Sequence, residues 1–289
     1  MIIEPNPHWG RCPQCRSGRS NICQELKVFG RQTPGAMTDL FTIPADRVHR
    51  VPDGMTDIEA ALVEPLAIPV HAVAKAGDLT GRTVAVLGAG PIGLLTLLAA
   101  RHAGAARIAV TDLMADKRER ALRLGADAAL PADAPDLVER AHAALGGPAD
   151  VVLDCVAREQ SMAQATDLVA KGGPVVVVGV GAAGPTPVRL DLVQDREIRV
   201  EGTLMYTGED CRTAMSLIAS GGVDTAEPVT STYPLEDAAE AFAASVDPEQ
   251  VKVLVTMDGS WIGTRIRGPD GSGHYGKPRD RSHGEGGAL

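Results

Sequence analysis

The sequence predicts an α/β protein: a doubly wound parallel sheet with helices on both faces, joined to a turn-rich stretch that holds short β runs. Three observations carry this prediction. From residue 76 to residue 222, apolar runs alternate with helical patterns. The runs are continuous in Val, Ile and Leu instead of alternating with polar residues, as strands buried on both faces require. Where the first run meets the first helix stand Gly88, Gly90 and Gly93, in the spacing G-x-G-x-x-G.

Taken in order, residues 1–75 are rich in turns, and β-like runs such as "LFTIPADRV" are broken by Pro and Gly. Residues 76–222 then repeat strand and helix. "TVAVLG" leads into a helix from Pro91 to His102, and "RIAVTD" into a charged helix ending near Leu124. "DVVLDC" precedes a helix near residues 159–170; "PVVVVG" precedes a short crossover and "IRVEGTLM". Residues 223–257 end in "VKVLVTM", a strand expected to close back on the first stretch. Residues 258–289 hold Gly, Pro, Arg, Asp and His with almost nothing apolar, and are expected to be a disordered tail.

Composition narrows the function classes. A net charge of −9 argues against nucleic acid as the main partner, which draws a basic stripe. No apolar run reaches the length of a membrane span, and "MIIEPNPHWG" lacks the charged start and apolar segment of a signal peptide. Five cysteines, with Cys155 in an apolar strand-like run, do not read as a disulfide framework, so a cytoplasmic setting is expected.

The stretch "VLGAGPIGLLTLLAARHAGAARIAVTD" carries the chemistry. Gly88 permits a tight turn, Gly90 lets a pyrophosphate approach the backbone, and Gly93 lets the helix pack on the strand. The N–H groups and dipole of the helix opened by Pro91, Ile92 and Gly93 then hold phosphates. Asp112 ends the next strand, 19 positions past Gly93, placed to accept ribose hydroxyls and to repel the extra phosphate of NADP. The expected cofactor is therefore NAD. The competing reading is a Gly-rich turn with Asp112 as a strand-end cap. Lys117, five residues on, either reaches the adenosine ribose or is a solvated helix charge.

From about Ile3 to Thr256 the chain resembles the zinc-dependent medium-chain dehydrogenases of the alcohol, sorbitol and threonine dehydrogenase group. The pieces that carry the resemblance are "GRCPQCRSGRSNIC", "VPDGMTDIEAALVEPLAIPVHAV", "VLGAGPIGLLTLLAA", "VVVVGV" and "GTLMYTG". It implies a Rossmann domain plus a partial GroES-like β-barrel catalytic domain. It also implies hydride transfer between NAD and a secondary alcohol, polyol or amino alcohol, zinc as a second cofactor, and assembly into dimers or tetramers. By resemblance, Val178, Gly179 and Val180, with Thr203 and Met205, flank the nicotinamide.

The family's lobe zinc takes four cysteines. Cys12, Cys15 and Cys23 match the last three, and the first falls on Trp9. Three completions stay open: His8 as a ligand, a water or carboxylate, or a lobe of reduced thiols without zinc. Of the catalytic zinc ligands only Glu64, in an "E-P" pair, has a counterpart. Its alternative is a carboxylate at the start of a helix with Pro65 in the first position. The Cys and His–Glu ligands have none, so the chain is expected to be an N-terminally truncated member. His71 is expected to be a packed or capping histidine. Where related polyol dehydrogenases carry Phe-Arg-Tyr, Met205 takes the Arg position and Tyr206 is kept. Besides the dehydrogenase, three readings remain: a dinucleotide-binding module without turnover, a decayed dehydrogenase copy, and zinc-free reductase chemistry as in the quinone-reductase branch, against which the cysteine lobe argues.

Overall fold

The computed structural model describes residues 1–256 except positions 39, 224, 226 and 248, and beyond them only the backbone of 265–267 and 273–275. In the first stretch, β1 (Ile2–Ile3) pairs antiparallel with β2 (Val48–His49), with a short helix α1 (Pro13–Arg16) between them. Among the described residues, β1 and β2 are the named strands of the first 75 positions. The run "LFTIPADRV" is strand only at Val48. Pro44 offers no N–H to a ladder, and Ala45–Arg47 turn as a 3-10 helix instead.

Helix α2 (Asp57–Ala76) follows, closed at its start by a reciprocal cap between Thr56 and Glu59. Thr56 Oγ1 accepts the Glu59 N–H at 3.3 Å, and Glu59 Oε2 accepts the Thr56 N–H at 2.7 Å. Pro65 and Pro69 lie inside this helix, so the reading of Pro65 as its first residue is corrected: the strong cap at Thr56 starts the helix two turns earlier.

The sheet comprises β3 (Thr83–Leu87), β4 (Arg107–Asp112), β5 (Ala128–Pro131), β6 (Val151–Asp154), β7 (Pro174–Val177) and β8 (Arg199–Gly202). The intervening helices are α3 (Pro91–His102), α4 (Ala115–Arg123), α5 (Leu137–Leu145), α6 (Glu159–Leu168) and α7 (Leu190–Asp195). Helix α8 (Gly208–Ala219) follows β8. All pairs are parallel, in the order β5-β4-β3-β6-β7-β8. Cys155 falls one residue beyond β6, outside the strand expected to contain it.

One face of the sheet, with Ala85, Leu87, Ala109, Val152 and Val175, buries against Leu137 and Ala141 of α5 and Met162 and Leu168 of α6. Val84 and Val86 point to the other face by the two-residue period and are fully buried as well. Each such side chain contributes about 1.5–3 kcal/mol. Helix α2 packs on α3 and α8. The border expected at residue 75 falls in the last turn of α2, and Met1–Pro228 form one compact unit.

The second unit begins at Val229. Within it, β9 (Val229–Pro234) and β10 (Lys252–Thr256) pair in parallel around α9 (Ala238–Ser245). The strand partner of Lys252–Thr256 is thus β9, where the first stretch was expected. Within the tail expected to lack order, β11 (Arg265–Arg267) and β12 (Gly273–Tyr275) pair antiparallel, and the rest lies outside the described residues.

Candidate functional site

The sheet order reverses at β3. The chain moves outward through β4 and β5, then returns to the other side of β3 with β6. A crevice opens at the carboxyl ends of strands at such a switch point. Gly88 leaves β3 with a left-handed φ of +91°, and a Cβ there would lie 2.7 Å from Val156 Cγ2, on the far wall of the crevice. Gly93 is tighter still, since its Cβ would fall 1.9 Å from the Gly88 carbonyl oxygen. At Gly90 a Cβ would meet nothing within 4 Å. Gly90 is also the N-cap of α3, without a capping side chain, and Pro91 follows as the first helical residue. The first turn of α3, which includes Ile92 and Gly93, thus presents N–H groups beside open space, the arrangement a diphosphate uses.

Asp112 caps the turn, as the competing reading expected. Its Oδ2 accepts the Ala89 N–H at 2.8 Å, and its Oδ1 accepts the Met114 N–H at 2.9 Å. Each carboxylate oxygen retains a further lone pair for a hydroxyl donor. Beside it lies a cavity of about 250 Å3 bordered by Gly88, Asp112, Val156, Arg158, Gln160 and Gln164. Lys117 sits half-buried in the first turn of α4 and is not among the residues that border this cavity. Its neighbour Arg118, which the sequence reading passed over, donates to the carbonyls of Asp112 and Leu113 at 2.9 and 2.8 Å.

Across the crevice, Asp154 organises the turn after β6. Its Oδ1 accepts the N–H groups of Val156 and Ala157, and its Oδ2 the Ser161 hydroxyl. An acid closing a strand just before a turn is the signal that would have found it. The backbone N–H groups of Val178 and Gly179 both donate to the Asp154 carbonyl, so only their carbonyls remain for a ligand. Val180 is 93 % exposed. Thr203 Oγ1 is shielded from solvent and has no hydrogen-bond partner among the described residues. Met205 holds a left-handed φ of +49°, a strained conformation for a side chain of its kind.

The lobe cysteines come together. Cys12 Sγ lies 3.4 Å from Cys15 Sγ and 3.9 Å from Cys23 Sγ. Zn–S bonds of about 2.3 Å put the corners of a tetrahedron roughly 3.8 Å apart, so the sulfurs fit a zinc ion. Cys23 Sγ also accepts the N–H groups of Trp9 and Glu25, each at 3.4 Å. Backbone N–H groups of Cys15 and Gln24 hold the Cys12 thiol down at about 6. Burial, with the neighbouring sulfurs, pushes Cys15 up to about 11. His8 lies outside the group, and its Nδ1 is buried with no partner among the described residues.

Glu64 stands in the middle of α2, half-buried. The Tyr206 hydroxyl donates to its Oε1 at 3.2 Å. Tyr206 is fully buried; burial, and then the Glu64 charge, push its phenol well above the ordinary range. Among the described residues, two groups of His, Cys, Asp and Glu side chains converge as metal donors: the lobe cysteines, and Glu4 with His49 and Cys211. Glu64 belongs to neither, so the residues around it do not fit a zinc site centred on its carboxylate. His71 is packed as expected. Asn21 Nδ2, which can only donate, reaches His71 Nε2 at 3.2 Å and the Leu204 carbonyl at 2.8 Å. The ring proton therefore lies on Nδ1 and is donated to Asp210 Oδ2 at 2.9 Å.

Among the described residues no helix is long and apolar enough to cross a membrane. A family model described as "Zinc-binding dehydrogenase" matches residues 91–220. Sorbitol dehydrogenase of Bos taurus is 35 % identical over 267 residues, covering 89 % of this chain and 73 % of that protein. A zinc-binding dehydrogenase of Sinorhizobium meliloti, solved bound to NADP, superposes with a TM-score of 0.82 at 32 % identity, covering 89 % of this chain and 76 % of that one. The 2R,3R-butanediol dehydrogenase of Bacillus subtilis superposes with a TM-score of 0.81 at 26 % identity, covering 89 % and 73 %.

Proposed function

The chain belongs to the zinc-dependent medium-chain dehydrogenase family, and on that premise we propose that it is an NAD-dependent oxidoreductase of a secondary alcohol or polyol. One observation carries the cofactor half of this reading: the glycine turn is tied to Asp112 beside the uncapped first turn of α3 and the open space at Gly90. The amides of that turn bind the diphosphate, and the Asp112 carboxylate takes the adenosine ribose hydroxyls. A 2′-phosphate would bring its negative charge against that carboxylate, which favours NAD over NADP. The shielded Thr203 hydroxyl is the donor available to the carboxamide side of the cofactor. NAD supplies the hydride acceptor, and the protein's part is to hold it at the switch point and exclude water.

The substrate class rests on the relatives, which include a sorbitol and a butanediol dehydrogenase. Cys12, Cys15 and Cys23 would hold a structural zinc in the lobe. The side chains around Glu64 do not fit a zinc site centred on its carboxylate. That observation favours a second reading, dinucleotide binding without turnover. The exposed edge of β8, with Val200 41 % exposed, suits pairing with a second copy, and the free thiols suit the cytoplasm.

The test is calorimetric titration with NAD, NADH and NADP, beside NADH formation at 340 nm with sorbitol and with 2,3-butanediol. NAD binding at least tenfold tighter than NADP, with NADH appearing, is the expected result. Binding without NADH formation selects the second reading. A folded protein that takes up neither NAD nor NADH overturns both.

A further inference from the structure

We propose that Glu4, His49 and Cys211 form a second metal site, separate from the cysteine lobe, that takes Zn2+ through one carboxylate oxygen, one imidazole nitrogen and one sulfur. The three donor atoms all lie within 4.8 Å of one another. They come from three places in the chain: the residue after β1, the last residue of β2 and the first turn of α8. Glu4 is 2 % exposed and Cys211 1 % exposed, so the site is dry on two sides. One oxygen, one nitrogen and one sulfur make a mixed set that suits zinc better than calcium or magnesium.

The surroundings hold the donors in place. The Glu4 N–H donates to the Arg47 carbonyl at 2.9 Å, which continues the β1–β2 pairing and sets Glu4 beside His49. Arg47 Nη1 donates to Glu4 Oε2 at 2.8 Å. Glu4 Oε1 faces His49 Nε2 at hydrogen-bond distance. An outer guanidinium on the second oxygen is how proteins orient a monodentate carboxylate ligand. Helix α8 closes directly on the group, because a Cβ at Gly208 would lie 2.8 Å from Glu4 Oε1.

A plain ion-pair network would use Glu4, Arg47 and His49 and give Cys211 no part. The Cys211 thiol makes no hydrogen bond among the described residues, yet its sulfur is the third corner of the group. A zinc ion uses all three donors. On binding, Zn2+ replaces the Cys211 thiol proton, which leaves to solvent, and takes the lone pair of His49 Nε2 while the imidazole keeps its one proton on Nδ1. The site then carries two anionic ligands on a dication, with Arg47 outside. Three protein ligands leave a fourth position for water.

Metal analysis after dialysis against Zn2+ tests this without reference to turnover. The full chain is expected to hold two zinc ions. Cys211→Ser and His49→Gln are each expected to lower the count to one, with NAD affinity within twofold of the parent. Cys12→Ser/Cys15→Ser/Cys23→Ser is expected to keep one ion; loaded with Co2+ it should show the charge-transfer absorption of a single thiolate, lost on adding Cys211→Ser. A full chain that binds only the lobe ion overturns the proposal, and so does a count unmoved by Cys211→Ser and His49→Gln. If the lobe variant does not fold, the two single variants in the full chain decide.

Discussion

Asp112 holds Ala89 across 23 positions of sequence: the carboxylate that ends β4 accepts the N–H in the middle of the glycine turn, at 2.8 Å. The same side chain is thus a strut of the crevice and, in the function proposed above, the acceptor of the adenosine sugar hydroxyls. Asp112→Ala removes both roles. NAD affinity is expected to fall at least tenfold, about 1.4 kcal/mol, and the preference for NAD over NADP to narrow. Calorimetric titration with both cofactors checks it.

The glycines separate binding from folding. Gly90→Ala meets nothing within 4 Å and keeps an ordinary φ of −72°, so unfolding stability should stay within about 0.5 kcal/mol of the parent while NAD binding is lost. Gly93→Ala drives a methyl into the Gly88 carbonyl at 1.9 Å. Overpacking of that kind costs about 1–3 kcal/mol, so this variant should lose stability and binding together. Urea unfolding run beside NAD titration distinguishes the two.

Asp210 supplies a pH dependence. Burial pushes its carboxyl up, but the His71 ring N–H at 2.9 Å, with the Thr207 hydroxyl and N–H at 2.7 and 2.8 Å, outweigh that and hold it below the ordinary carboxylate range. A carboxyl depressed on folding contributes stability above its unfolded value, near 3.9, and loses it as pH falls through the folded value. Asp210→Ala is therefore expected to cost about 1–3 kcal/mol at pH 7. The gap from the parent should shrink below about pH 4. Urea unfolding at pH 7 and pH 3.5 measures it; a gap that widens in acid would contradict the assignment.

The lobe should part from the cofactor site. Cys12→Ser removes the sulfur that neighbours both others, at 3.4 and 3.9 Å. One zinc equivalent should disappear from metal analysis. NAD affinity should stay within twofold, because the glycine turn is braced from β4 and β6 and not from the lobe.

The sheet and its cofactor turn were legible because both are written locally. Unbroken apolar runs betray buried strands, and α3 spans Pro91–His102 as its pattern implies. What escaped was short or remote. β5 is four residues ending in a proline, too brief for a period to register. Glu64 looked like a helix start because a proline follows it, yet the cap at Thr56 outweighs that local signal. Asp154 and Arg118 act on backbone groups that only the folded turn presents to them.

By itself, then, the sequence determined the parallel sheet, the glycine turn with its acid at the end of β4, and the sulfur spacing of the lobe, since each is written in a pattern that one short continuous stretch of chain carries. Tertiary structure alone decided that Tyr206 meets Glu64, that Asn21, His71 and Asp210 form one chain of hydrogen bonds, and that Glu4, His49 and Cys211 converge. Those groups are separated by tens to hundreds of positions. The burial of α2 against α3 and α8, and the pairing of β1 with β2, bring them within a few ångströms, and that depends on packing the whole core.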